Sequence, residues 1–144
     1  MLKADLAFSV YKFNQQSKSF QLLYRHLSDS RDNLVCVKLI EGGFSLLLTH
    51  NCAESYTFKD DSPCLAARVF CEEHCLLYSG DLDVGKSLAA SGTVFRSVLI
   101  WSTVNGTVLQ RYLGHTGVIF DTKFLSCGRV ASVCDDRSVR VWKD

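Results

Sequence analysis

Two stretches of this sequence lie on one another without a gap. Ala90-Ser91-Gly92-Thr93-Val94-Phe95-Arg96-Ser97-Val98-Leu99-Ile100-Trp101 and Ala131-Ser132-Val133-Cys134-Asp135-Asp136-Arg137-Ser138-Val139-Arg140-Val141-Trp142 share Ala, Ser, Arg, Ser, Val and Trp at an offset of 41 residues. A fixed period of this size means one supersecondary unit stacked on copies of itself, which narrows the fold to repeat architectures. The periodicity inside the unit is that of strands. Apolar runs of about four to eight residues, rich in Val, Leu, Ile, Phe and Tyr, alternate with clusters of Gly, Asp, Asn and Ser, and no segment carries a helical spacing.

Repeats built from helices are therefore excluded, and the period falls within the roughly 40–45 residues of a four-stranded β-propeller blade. The expected fold is all-β, with about three four-stranded antiparallel blades of an incomplete propeller. Candidate strands run from 6–13 to 138–142. The expected blades cover 20–58, 64–101 and 107–142, preceded by a leading strand at 6–13.

Composition removes several other classes. At 144 residues and 47% hydrophobic content the chain has material for one compact core. Sixteen Lys and Arg oppose fifteen Asp and Glu, so no global field draws in nucleic acid or an anionic membrane. The longest apolar runs, 44–48 and 98–101, fall far short of the roughly 20 residues that span a bilayer. Met1-Leu2-Lys3-Ala4-Asp5 is broken by charges and lacks the apolar region of a secretory signal. The expected location is cytoplasmic, allowing also the nucleus, with seven reduced cysteines acting mostly as small hydrophobes.

Gly114-His115, Ser132, Asp136 and Trp142 complete a pattern that resembles the WD repeat. The resemblance implies that His115, Ser132, Asp136 and Trp142 hydrogen-bond in series as structural residues, with Ser91 and Trp101 in the core of the preceding blade. The physical need is clear, since a buried indole N–H without an acceptor carries a desolvation cost of several kcal/mol. His115, Ser132 and Asp136 could also be taken for a hydrolase triad, but a mid-strand Ser lacks the strained elbow and oxyanion donors of a nucleophile. The preceding blade departs from the pattern, with Phe95 at the Asp position and Glu73-His74 at the Gly-His position. The first blade is weaker still, with Phe58 expected at the Trp position.

More specifically, 89–101, Gly114-His115-Thr116-Gly117-Val118-Ile119-Phe120 and 135–143 resemble the WD repeat-containing protein 6 family, well over 64–144 and faintly before. That resemblance implies a non-catalytic, cytoplasmic scaffold without cofactor. It implies a partner, an FtsJ-type methyltransferase, whose 2′-O-methylation of the tRNA wobble nucleotide the chain assists, so that tRNA is met through the complex. The alternative is a general WD-repeat adaptor for other proteins. Family members are far longer than this chain, and an open arc of blades is expected to expose apolar sheet faces and to be oligomeric or poorly soluble.

Three local patterns compete with the scaffold. Gly80-Asp81-Leu82-Asp83-Val84-Gly85-Lys86-Ser87 matches a P-loop letter for letter. Its working needs a helix after the loop, whereas Leu88-Ala89-Ala90-Ser91-Gly92-Thr93 belongs to the strand repeat, so Gly80, Gly85, Lys86 and Ser87 are expected to match by coincidence. Cys71, His74 and Cys75, with Cys64 nearby, lack a second spaced pair, so no metal is expected. Basic and aromatic residues alternate at Lys3, Tyr11, Lys12, Phe13, Lys18, Phe20, Tyr24 and Arg25 as strand alternation or as an RNA-stacking surface. Arg96, Arg137 and Arg140 are candidate contacts for tRNA phosphates or a partner, or solvated surface.

Overall fold

The computed structural model describes residues 7–27, 34–60, 62–74 and 76–143, which are strand throughout apart from turns and two single-turn 3-10 segments. A hairpin of β1 (Ala7–Asn14) and β2 (Ser19–Leu27) stands first. The first sheet joins β3 (Leu34–Ile40), β4 (Gly43–Leu48), β5 (Cys52–Lys59) and β6 (Ser62–Phe70) in sequence order. The second does the same with β7 (Leu77–Asp83), β8 (Leu88–Thr93), β9 (Ser97–Ser102) and β10 (Val108–Leu113). The third holds β11 (Ile119–Phe124), β12 (Val130–Cys134) and β13 (Val139–Trp142). Every pairing is antiparallel. These meanders are propeller blades of an incomplete ring.

The pairing shifts the expected blades by one strand. The strand expected to open the first blade pairs back on β1, while β6 and β10 close the sheets before them rather than opening the next. The expected units 20–58, 64–101 and 107–142 thus become sheets over 34–70, 77–113 and 119–142, and residue 6 of the expected leading strand lies outside the described residues. A period fixes the spacing of strands and leaves the cut between sheets open. Here the short turn after Ser102 lets β10 fold back on β9, and the loop carrying His115 makes the crossing.

The register also corrects the first blade. Trp101 pairs with Ala89 in the second sheet, and the matching pair in the first is Tyr56 with Phe44. Tyr56, not Phe58, therefore occupies the tryptophan seat. It stacks on Phe44 with centroids 4.8 Å apart and donates its hydroxyl to Glu54 at 2.7 Å. The slip arises because Glu41-Gly42 joins β3 to β4, whereas the longer 84–87 segment joins β7 to β8.

Two clusters of the core lie between sheets, and a third, of Phe44, Leu46, Leu48, Cys52 and Tyr56, lies on the other face of the first sheet. Leu47 and Ala53 of the first sheet meet Leu77, Leu82, Ala89, Leu99 and Trp101 of the second. On the other face of the second sheet, Ala90, Val98, Ile100 and Tyr112 meet Ile119 and Val130 of the third. Burying each large apolar side chain contributes roughly 1.5–3 kcal/mol. The third sheet repeats the residues but not the burial: Val139 and Val141 are 70% and 57% exposed where Val98 and Ile100 are buried. Its far face is an uncovered blade interface.

Inner strands of all three sheets are tied at one carboxylate. Asp81 on β7 bonds Lys38 of β3 at 2.8 Å and lies 3.7 Å from Lys123 of β11, and it accepts the Phe124 N–H at 3.1 Å. Burial opposes its charge, yet the Lys38 and Phe124 hydrogen bonds prevail and hold its pKa below the usual carboxylate value. In the sequence Asp81 falls inside the P-loop pattern, which gives it no role of its own. The signal that marks it is its repeat position, level with Lys38 and Lys123 on neighbouring inner strands.

Candidate functional site

The third sheet assembles the four residues expected to act in series. Trp142 Nε1 donates to Ser132 Oγ at 2.8 Å, Ser132 Oγ lies 2.7 Å from His115 Nε2, and His115 Nδ1 lies 3.0 Å from Asp136 Oδ2. The two ends fix the protons between them. An indole only donates and a carboxylate only accepts, so the singly protonated tautomer of His115 that fits carries its proton on Nδ1, and Ser132 then gives its own to Nε2. Every polar atom in the series then has a partner.

Local sequence builds each seat. Gly114 lets the chain pass close to Trp142 and Arg140, whose side chains a Cβ at that position would crowd. His115 follows immediately and its side chain is fully buried against Trp142. Asp136 sits in the β12–β13 turn, which Arg137 completes at φ 66. Its carboxyl is held well below the usual range, first by the Ser138 hydroxyl, then by the Thr116 N–H and the His115 ring.

This geometry argues against nucleophilic use of Ser132. The residue is 1% exposed, and its oxygen already accepts the Trp142 N–H, so no substrate carbon can reach it. Cys134 comes near His115 and Asp136 as a third possible metal donor. Both ring nitrogens of His115 are engaged within the series, however, and a metal would have to break it.

The second sheet keeps half of the arrangement. Trp101 Nε1 donates to Ser91 Oγ at 2.9 Å, and both residues are completely buried. Phe95 stands exposed at the Asp seat, beside Arg96 at φ 67, so the turn backbone is retained without its carboxylate. The crossing loop does not supply the imidazole: His74 is exposed, and Glu73 pairs with Arg111 of β10.

The P-loop pattern folds as a hairpin. Gly80 lies inside β7, where a Cβ would collide with Leu47 of the neighbouring sheet. One 3-10 turn, Val84–Lys86, leads straight into antiparallel β8. Asp83 caps that turn through Lys86 N and lies 3.5 Å from Lys86 Nζ, while Ser87 adopts φ 55. The strand-to-helix turn whose N–H groups cradle phosphate is not built here.

Arg96 and Arg137 are exposed in equivalent turns at the His115 end, and Arg140 lies over the Trp142 ring at 5.8 Å. Of the basic and aromatic N-terminal residues, Tyr11, Phe13 and Phe20 are exposed, and Phe13 and Phe20 pack 5.0 Å apart. Lys3 lies outside the described residues, as does Cys75 of the expected non-metal cluster. Cys36, Cys64, Cys127 and Cys134 are free thiols. No helix among the described residues is long and apolar enough to cross a membrane.

Comparison with known proteins agrees with this architecture. No family model matches the chain. The tRNA (34-2′-O)-methyltransferase regulator WDR6 of Pongo abelii is 32% identical over 146 aligned residues, covering 93% of this chain and 13% of that protein. Its mouse counterpart is 37% identical over 118 residues, covering 74% of this chain and 10% of its own length. The ribosome biogenesis protein YTM1 of Eremothecium gossypii is 39% identical over a shorter 62 residues, 43% of this chain and 14% of that protein. A chain of a mitotic checkpoint complex superposes with TM-score 0.63 at 17% identity, covering 96% of this chain and 41% of its own. The computationally designed protein Ika4 does so with TM-score 0.60 at 17% identity, covering 85% and 72%. This chain spans only about a tenth of the length of its WDR6 relatives. By sequence over most of its length and by its blade architecture, the chain belongs to the WD repeat-containing protein 6 family.

Proposed function

We propose that the chain serves as part of a non-catalytic regulatory scaffold that assists an FtsJ-type methyltransferase in placing a 2′-O-methyl group on the wobble nucleotide of tRNA. The observation that carries this reading is the similarity to the methyltransferase regulator across 93% of the chain. The site fits the role. His115, Ser132, Asp136 and Trp142 are consumed in holding a crossing loop against its sheet, which presents a rigid surface and leaves the chemistry to a partner. Arg96, Arg137 and Arg140 are the proposed contacts to tRNA phosphates, met through the complex in the cytoplasm. Affinity purification of the tagged chain should recover an FtsJ-type methyltransferase with tRNA, and its loss from cells should lower methylation at nucleotide 34. Recovery of neither, with methylation unchanged, overturns the proposal.

A second reading, a general WD-repeat adaptor, draws on the likeness to a ribosome biogenesis protein at 39% identity. It predicts partners other than a methyltransferase in the same purification.

A further inference from the structure

The two blade interfaces are not packed alike. Strand register places Ser45, Ala53 and Ser55 of the first sheet at the positions that Ala90, Val98 and Ile100 hold in the second. In the second interface Val98 and Ile100, larger than Ala53 and Ser55, fill the space against Ile119, Val130 and Phe124. In the first, Ala53, Ser45 and Ser55, with Ala67 of β6, leave an opening of about 210 Å³ in front of Leu82. Val84 and Val104, on the turns at the end of the molecule opposite His115, line its mouth. The segment that matches a P-loop thus forms the rim of an apolar pocket.

We infer that this gap between the first and second sheets is a docking pocket for one branched aliphatic side chain of a partner protein. The molecule's own repeat identifies the occupant. The pocket continues an interface whose next copy fills two of the same positions with valine and isoleucine, so the space left lies where branched aliphatic side chains stand in that copy. Its walls are mostly apolar with serine and threonine hydroxyls among them, and the one charged residue of the lining, Glu54, is already paired with Arg68 and Tyr56. Water held against Ala53, Ala67 and Leu82 is poorly bonded, and an apolar group that displaces it gains affinity. Val84 and Val104 at the mouth, the latter 70% exposed, offer further contact to the segment carrying that side chain.

The inference does not depend on which enzyme the scaffold serves. It is tested with 3-methylbutan-1-ol, a leucine side-chain mimic, and two blocked pentapeptides that differ only in a central leucine or lysine. Methyl NMR on the whole chain should show saturable shifts of Ala53, Ala67, Leu82 and Val84 with the alcohol and the leucine peptide, and none with the lysine peptide. Ser55→Ile and Ala53→Val install the residues of the next interface. Each should raise the melting temperature while weakening both ligands roughly tenfold or more, the loss of about one buried apolar side-chain contact. Absence of a saturable response in the unaltered chain overturns the proposal without recourse to a variant. Equal binding of the lysine peptide overturns it as well, as does undiminished binding by a folded Ser55→Ile chain.

Discussion

Trp101 and Trp142 hold equivalent seats in neighbouring sheets, each donating its indole N–H to a strand serine, yet their surroundings differ. Trp142 has the complete series through Ser132 and His115 to Asp136 and stacks on Tyr112 of the second sheet, yet it remains partly exposed. Trp101 has only Ser91, yet it is wholly enclosed between two sheets. The difference shows two ways of fixing a blade. One uses a polar chain to anchor a crossing loop, and the other, without imidazole or carboxylate, buries its indole completely in the core between the first and second sheets.

Truncation of the two indoles gives the largest effect and the most direct way to break the comparison. Trp101→Ala removes a fully buried aromatic from the core between the first and second sheets, and it should cost about 3–5 kcal/mol in urea unfolding. Trp142→Ala should cost less, because water already reaches that ring. Equal losses would mean that the polar series contributes as much as enclosure does.

Removing the serine acceptors comes next. Ser91→Ala leaves the Trp101 N–H unpaired where water cannot enter, at a cost of about 1–3 kcal/mol. Ser132→Ala strands His115 Nε2 as well as the Trp142 N–H, so its cost should be at least as large despite the outer sheet's exposure. Denaturant midpoints of the two variants decide it. A smaller loss for Ser132→Ala would show that the series is held together from the Asp136 end.

Much of this contrast could be read from the residues themselves. The series depends on residue identity at a fixed spacing, and Phe95 in place of Asp136 announced the broken copy. Strand rhythm also located the sheets. The phase did not follow, because a repeating pattern cut one strand earlier or later has the same periodicity, and only the fold-back of β10 on β9 chooses between them. Tyr56 was missed because the longer β7–β8 connection slips the register between sheets, so that Phe58 falls nearer the tryptophan spacing. Asp81 was hidden by a motif match that describes a turn the backbone does not make. In each case hydrogen bonding between elements distant in sequence settled what spacing alone could not.

Acid sharpens the same contrast at lower energy. Asp136 has its pKa depressed in the folded chain, so it contributes stability at pH values above its unfolded pKa, about 3.9, and loses it as pH falls toward the folded value. The third sheet should therefore loosen first on acidification. Hydrogen-exchange protection at the β12 and β13 amides should fall below about pH 4, ahead of β8 and β9, and Asp136→Asn should remove that lead. Asp81, also depressed, gives a remaining acid dependence shared by all three inner strands. Simultaneous loosening of both sheets in the unaltered chain would place the acid-sensitive contact at Asp81 instead.

The smallest expected effect is the repair of the broken copy. Phe95→Asp restores a carboxylate to a turn whose backbone already matches, with Arg96 and Arg137 at nearly the same φ. The new side chain would find no imidazole, since His74 is turned to solvent, and the Ser97 hydroxyl is already engaged with Thr93 at 2.9 Å. Only turn contacts are left to gain, so stability should change by no more than about 0.5 kcal/mol. A gain above about 1 kcal/mol, the usual worth of one net hydrogen bond, would show that the carboxylate orders the turn unaided. His115 would then be an addition to the series rather than its organiser, and enclosure would not be what spares the second sheet its aspartate.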